Sequence, residues 1–265
     1  MNGPTIIVCI KDVPDPEGPS SAYEIHSESK KVVPVGIPPV INPYDENALE
    51  LAVRLKERWG GTVIAINMSE KAVTPVLKKA LGVGADRLIL AEDHGFKDLS
   101  SYATAQVLSS VISKIGSFDI VLTGREAADW DSGQVGVLIG ELLKIPSMAL
   151  VKKVELEDGV VTVERLKRNG YEVVRAPIPV VLTVSSEVGE LRLATLKAIQ
   201  DARKKPVVVW RAADLGFEPG ILRTKAIRAV VPPPSHARQC LLIEGTTAQE
   251  KGENLAVRLR QDNII

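Results

Sequence analysis

Four short apolar runs rich in β-branched residues limit the fold more than any other feature: TIIVCI (5–10), TVIAIN (62–67), RLILAE (87–92) and FDIVLTG (118–124). Runs that are apolar at consecutive positions need cover on both faces, so they read as strands of a parallel sheet. Amphipathic stretches separate them. INPYDENALELAVRLKERWGG predicts a helix, with Asp45 as N-cap, Ala48, Leu49, Leu51, Ala52 and Leu55 at helical spacing and Gly60-Gly61 as the stop. Residues 70–85, 100–116 and 132–144 read as further helices, the last ended by Pro146. Strand and helix in alternation predict a doubly wound, mostly parallel α/β sheet joined by right-handed crossovers.

Three segments depart from that rhythm. Residues 14–40 are dense in Pro, Gly and Ser and read as a long loop with a small ribbon. From Lys152 to Ser186 the pattern alternates, with EDG and RNG as turn signals, which predicts antiparallel strands extending the sheet. LRLATLKAIQDARKKP reads as a loop feeding a short helix closed by Pro206. Beyond Arg211 the VVPPPS stretch and the AVRLRQDNII ending predict an extended arm with a short amphipathic helix. The expected division is an α/β domain over 1–210 and a partner-packing arm over 211–265.

Composition excludes several functions. Lys+Arg and Asp+Glu both number 33, so no net field draws the chain to nucleic acid or an anionic membrane. Aromatic content of 4% argues against base-stacking platforms. No run approaches the roughly 18–20 apolar residues of a membrane span, and no secretory leader is expected. The 2 cysteines, Cys9 and Cys240, suggest neither a disulfide framework nor a metal cluster, and a reducing cytoplasm is the expected setting. His26, His94 and His236 have no Cys or His at ligand spacing.

Ligands of doubly wound sheets bind beyond the C-terminal strand ends, where strand order reverses. TGREAADWDSGQVG (123–136) falls at such an end and opens a helix whose free N–H groups favour phosphate. Gly124, Gly133 and Gly136 would let a ligand approach the backbone. Ser132 and Gln134 can bond phosphate or ribose, and Arg125 can pair with pyrophosphate. Asp129 and Asp131 suit helix capping, ribose hydroxyls or holding the loop; acid–base catalysis by the pair is the rarer alternative. The whole stretch is equally compatible with an ordinary strand–turn–helix junction, and NPYD (42–45) with a Pro-stabilised helix start. Cys9 reads as inert core. Leu191, Leu193 and Leu196 read either as core or as a docking knob.

CIKDVPD, INPYDENALELAVRLKE, LGVGADR, TGREAADWDSGQVG, RAPIPVVLTV, LRLATLKAI and ARKKP, in this order, resemble the β subunit of electron transfer flavoprotein over nearly the whole chain. The resemblance implies an adenine-nucleotide hydrolase-like fold and a heterodimer with an α subunit that carries the redox-active FAD. It implies a nucleotide pocket on Cys9, Asn42, Pro43, Tyr44, Asp45 and Met68, continuing through Thr123, Gly124, Arg125, Glu126, Ala127, Asp129, Asp131, Ser132, Gly133, Gln134 and Val135. It further implies a partner-docking loop over 191–205, with Leu191, Leu193, Ala194 and Thr195 leading to Leu196 as anchor. Family members hold either a structural AMP or, in the electron-bifurcating type, a second FAD that takes hydride from NADH. VPD, INPYD and GQVG resemble the FAD-holding type. Partners implied are the α subunit and a flavoprotein dehydrogenase or quinone reductase. The rival readings are a stand-alone nucleotide-binding regulatory module, which needs neither arm nor docking loop, and a hydrolase using Asp129 and Asp131.

Overall fold

Ile6 and Val8 of strand β1 (Thr5–Cys9) enter one hydrophobic core, while Ile7 and Cys9 enter a second. The strand's period of two thus feeds two apolar faces at once. A computed structural model describes residues 3–26, 28, 30–218, 220, 222, 224, 226–231 and 240–265. Two ribbons follow β1: β2 (Asp12–Pro14) pairs with β5 (Pro39–Ile41), and β3 (Tyr23–His26) with β4 (Lys31–Pro34). The stretch expected as a loop with one ribbon therefore holds two.

The winding then begins with α1 (Pro43–Trp59), β6 (Thr62–Ser69), α2 (Thr74–Leu77), α3 (Lys79–Val83) and β7 (Arg87–Glu92). It continues through α4 (Ser101–Ile115), β8 (Ile120–Gly124) and α5 (Val135–Leu143). An antiparallel meander, β9 (Ser147–Glu157), β10 (Val160–Lys167) and β11 (Gly170–Pro177), leads into β12 (Val180–Val184), α6 (Leu196–Ala202) and β13 (Val207–Trp210).

These form one nine-stranded sheet in the order β11-β10-β9-β12-β8-β1-β6-β7-β13. Leu49 and Ala52 of α1, Leu77 of α2 and Leu81 of α3 cover one face, and Val107, Val111 and Ile112 of α4 with Ile139 of α5 cover the other. From β1 the chain winds outward through β6 and β7, then crosses to β8 on the opposite side of β1. The strand order therefore reverses at the β1/β8 junction, and their C-terminal ends frame a crevice.

Several local expectations are corrected. The N-cap of α1 is Asn42, not Asp45, because Pro43, with φ fixed and no N–H to lose, takes the first helical position. Residues 70–85 form two short helices: the first turn waits for Thr74 and Pro75, and a break at Lys78 separates α2 from α3. The helix expected from 132 begins only at Val135, since Asp131 and Gly133 take left-handed φ values of 47° and 59°. Of RAPIPVVLTV, RAP ends the antiparallel β11, but the remainder is not a further antiparallel strand. Its fully buried VVLTV runs parallel to both β8 and β9, filling the sheet between them. VVVW (207–210), not anticipated as a strand, pairs with β7 as the sheet edge.

The chain forms two compact units, Met1–Ala229 and Val230–Ile265. In the second, α7 (Ala248–Gln261) is capped by Thr247, whose Oγ1 accepts from the Glu250 N–H at 3.1 Å, while the Glu250 carboxylate accepts from the Thr246 N–H at 2.8 Å. Pro232, Pro233, Pro234 and His236, within the expected extended arm, lie outside the described residues. Among the described residues, no helix is long and apolar enough to cross a membrane.

Candidate functional site

A cleft of about 330 Å³ opens at the C-terminal ends of β1, β6 and β8. The ends of three adjacent parallel strands supply its walls: Cys9 to Asp12, Met68 to Glu70, and Thr123 to Ala127. Phe96, Leu99 and Leu108 add an apolar wall, and Trp130 with Ser132 to Gly136 a polar lip.

The carboxylate of Asp45 ties two of these strand ends together. Its Oδ2 accepts from the Lys11 N–H at 2.9 Å and its Oδ1 from the Gly124 N–H at 3.0 Å. Burial pushes this carboxyl up to about 7, against the opposing pull of hydrogen bonds from Asn42, Gly124 and Lys11. Asn42 is fully buried and does a parallel task. Its Nδ2 donates to the Glu126 carbonyl at 2.8 Å and its Oδ1 accepts from the Ala128 N–H at 3.1 Å, so the start of α1 fixes the loop after β8. Neither Asn42, Pro43 nor Tyr44 lines the cleft itself; only Asp45 of NPYD reaches its wall.

Tyr44 acts through Arg125. The guanidinium lies 4.5 Å from the centre of the Tyr44 ring, donates from Nη2 to the Tyr44 hydroxyl at 3.1 Å and pairs with Glu126 at 2.7 Å. Among the described residues its buried Nε has no hydrogen-bond partner. A stacked, cleft-lining cation with an unused donor is prepared for an anionic acceptor. Lys11 Nζ meets Asp129 Oδ2 at 2.5 Å, so Asp129, which does not line the cleft, holds the loop rather than capping a helix. Asp131 is exposed and does not line the cleft.

The three glycines divide. A Cβ on Gly124 would stand 2.6 Å from Asp45 Oδ1, and one on Gly136 would stand 2.5 Å from Thr123 Oγ1. Both are required by internal packing, and both also line the cleft. Gly133 is left-handed and exposed in the lip. Ser132 Oγ accepts from Ser101 Oγ at 3.3 Å, and Gln134 precedes α5 without a side-chain cap, leaving the first-turn N–H groups of α5 uncapped by it. Thr123 turns its hydroxyl onto the Gly124 carbonyl, and burial pushes the Cys9 thiol up, far from a thiolate.

Sequence reasoning missed Asn67, which is buried and donates to the Ile10 carbonyl at 3.0 Å, and the apolar wall from Phe96, Leu99 and Leu108. It quoted Lys11 and Asp12 within CIKDVPD without assigning them. Asn67 carried a signal, a polar residue inside TVIAIN; the wall carried none.

The expected docking segment is also split. Leu191 packs against the core, whereas Leu193 and Leu196 are 94% and 82% exposed. Ala194 is half-buried against Gly82, and Thr195 caps α6 by accepting from the Ala198 N–H at 3.2 Å. Arg192 anchors the segment to α1 through both oxygens of Glu50 at 3.0 Å and through Glu57. Burial alone would raise the Glu50 carboxyl, yet hydrogen bonds from Arg192 and Arg54 hold it below its ordinary value.

A family profile described as electron transfer flavoprotein domain matches residues 31–215. An electron transfer flavoprotein subunit beta of Thermoanaerobacterium thermosaccharolyticum is 37% identical, covering 98% of this chain and 99% of the relative. The caffeyl-CoA reductase-Etf complex subunit CarD of Acetobacterium woodii is 33% identical over the same shares. Protein FixA of Azorhizobium caulinodans is 34% identical, covering 80% of this chain and 77% of the relative. The chain belongs to the electron transfer flavoprotein family, as a protein of the β-subunit type.

Proposed function

We propose that this electron-transfer protein holds FAD in the β1/β6/β8 cleft and works as a heterodimer with an α subunit carrying a second FAD. In that assembly it would pass electrons between NADH or dehydrogenase flavins and other carriers, by flavin-based bifurcation. The observation that carries the reading is Arg125: a cleft-lining residue whose guanidinium lies over the Tyr44 ring, with a buried unpartnered Nε. The residues fit a dinucleotide. Gly133 and the uncapped start of α5 suit phosphate oxygens, and Phe96, Leu99 and Leu108 suit a flat apolar ring.

A bound flavin supplies the redox chemistry, and the chain's residues bind, orient and shield it. Arg125 offers fixed positive charge to an anionic group, Asp45 and Asn42 hold the strand-end loops in register, and Lys11 with Asp129 ties the loop after β8 to the end of β1. A smaller occupant, AMP, is the second reading. It is favoured by the cleft volume of about 330 Å³, near the lower end of the roughly 300–1,000 Å³ of small-molecule sites. The relative CarD is by name a subunit of a reductase–Etf complex, which supports assembly with a dehydrogenase-type partner. Acid extraction of the chain purified with its α subunit, with FAD and AMP counted per heterodimer, tests the reading. Two FAD support it, one FAD with one AMP replaces it with the carrier form, and no nucleotide overturns it.

A further inference from the structure

The apolar wall of the cleft is backed by the stretch of chain that follows β13. Phe96 and Leu99 line the cleft yet are only 3% and 5% exposed, so each shows a narrow side to the cleft and the rest to the protein. Against Phe96 stands the ring of Phe217, which does not line the cleft; the centroids are 6.4 Å apart and the planes cross at 90°, an edge-to-face pair. Leu99 forms an isolated antiparallel bridge with Thr224.

Polar contacts fasten the same two segments. The Asp93 carboxylate accepts from the Gly95 N–H at 2.8 Å, which caps the turn His94–Phe96, and from the Ala212 N–H at 3.1 Å. Hydrogen bonds from these two N–H groups hold that carboxyl below its ordinary value. Arg211 donates to the carbonyl of Glu92 at 2.9 Å and to its carboxylate at 3.0 Å. The turn Ala213–Leu215 then folds back, the Phe217 N–H donating to the Ala212 carbonyl at 3.0 Å. Leu215 and Phe217 pack against the core that holds Val107 and Val111 of α4, and Lys114 of the same helix donates to the Asp214 carbonyl. The turn that carries Phe96 is thus clamped between the sheet and residues 211–217.

We propose that Phe217 is a positioning residue of the ligand site: it touches no ligand, but it fixes Phe96 and with it the flat apolar wall on which a planar ring lies. The inference rests on the reading of the cleft as a nucleotide site and adds a residue outside the cleft on which affinity depends. Interiors are close-packed, so removing the Phe217 ring leaves a void into which Phe96 turns, and the wall recedes from the ring it would face. The coupling is reciprocal, so a bound ring that presses on Phe96 steadies the turn 94–96.

The test uses the full chain freed of bound nucleotide, with FAD and AMP as probes in titration calorimetry, and hydrogen exchange over residues 94–99 read by mass spectrometry. Phe217→Ala should weaken the probe that the wild type binds by about tenfold or more and speed exchange over 94–99. Phe217→Leu refills most of the void and should lose only about threefold. Val111→Ala, a void elsewhere in the same core, should lower the melting temperature and leave affinity unchanged. Unchanged affinity in Phe217→Ala, unchanged exchange over 94–99, or an equal loss of affinity in Val111→Ala overturns the assignment. If the wild type binds neither FAD nor AMP, the nucleotide reading falls on its own, and exchange over 94–99 still decides whether Phe217 holds the wall.

Discussion

The Asp45 carboxylate accepts the backbone N–H of Gly124 at 3.0 Å across 79 residues of sequence, and its second oxygen accepts that of Lys11 at 2.9 Å. One side chain thereby fixes the ends of the two strands between which the strand order reverses.

Stability should carry the mark of this buried carboxyl. Its folded value of about 7 lies above the ordinary 3.8. Between those values the folded chain holds a proton that the unfolded chain lacks, so this group's contribution is full below 3.8 and is lost as pH rises through about 7. The melting temperature of the wild type minus that of Asp45→Asn should therefore fall from acid to neutral pH. Near neutral pH the variant should lose about 1–3 kcal/mol, because an amide turns an N–H toward one of the two backbone donors. A pH-independent difference would remove Asp45 as the titrating group.

Arg125→Ala should lower nucleotide affinity by about tenfold or more, the scale of one lost charge-assisted hydrogen bond. Tyr44→Leu should act in the same direction and more weakly, since it frees the guanidinium without removing it. Nucleotide content after gel filtration, with melting temperature as control, separates the two effects. Full retention in Arg125→Ala would discard the anion-binding role.

Leu196→Ala should cut kcat/KM for electron transfer to a partner flavoprotein by about tenfold, as expected for an exposed interface anchor, with nucleotide content unchanged. Lost nucleotide with normal transfer would reverse the assignment.

Gly133→Val and Gly136→Val should fail differently. A Cβ at Gly136 meets Thr123 Oγ1 at 2.5 Å, so that variant should lose stability by about 1–3 kcal/mol or more. A Cβ at Gly133 would meet the Arg125 carbonyl at an ordinary contact distance of 3.6 Å, and the φ of 59° disfavours a β-branched residue, so its variant should be strained locally and lose nucleotide. Denaturant melts and nucleotide counts on both proteins check the contrast.

Much of this was legible in the chain because consecutive apolar positions and helix spacing are local signals. The four parallel strands and the strand-end location of the cleft came from them. What was not legible depends on partners distant in sequence. Asp45 looked like a cap because an acidic residue at a helix start usually is one; only the fold brings Gly124 and Lys11 to it. The Arg125–Tyr44 stack spans 81 positions and leaves no periodic trace. VVVW was passed over because strand pairing with β7, not its own composition, distinguishes an edge strand from a loop.

The 17-residue helix α1 touches both places that matter. Asn42 and Asp45 at its start brace the cleft, and Glu50 and Glu57 farther along hold Arg192 of the exposed segment. From Asp45 to Glu50 and Glu57 is roughly 8–18 Å of helix at about 1.5 Å per residue. A stiff strut of that length sets the separation between the cleft and the exposed Leu193 and Leu196, so the two are joined by a rod rather than by a hinge.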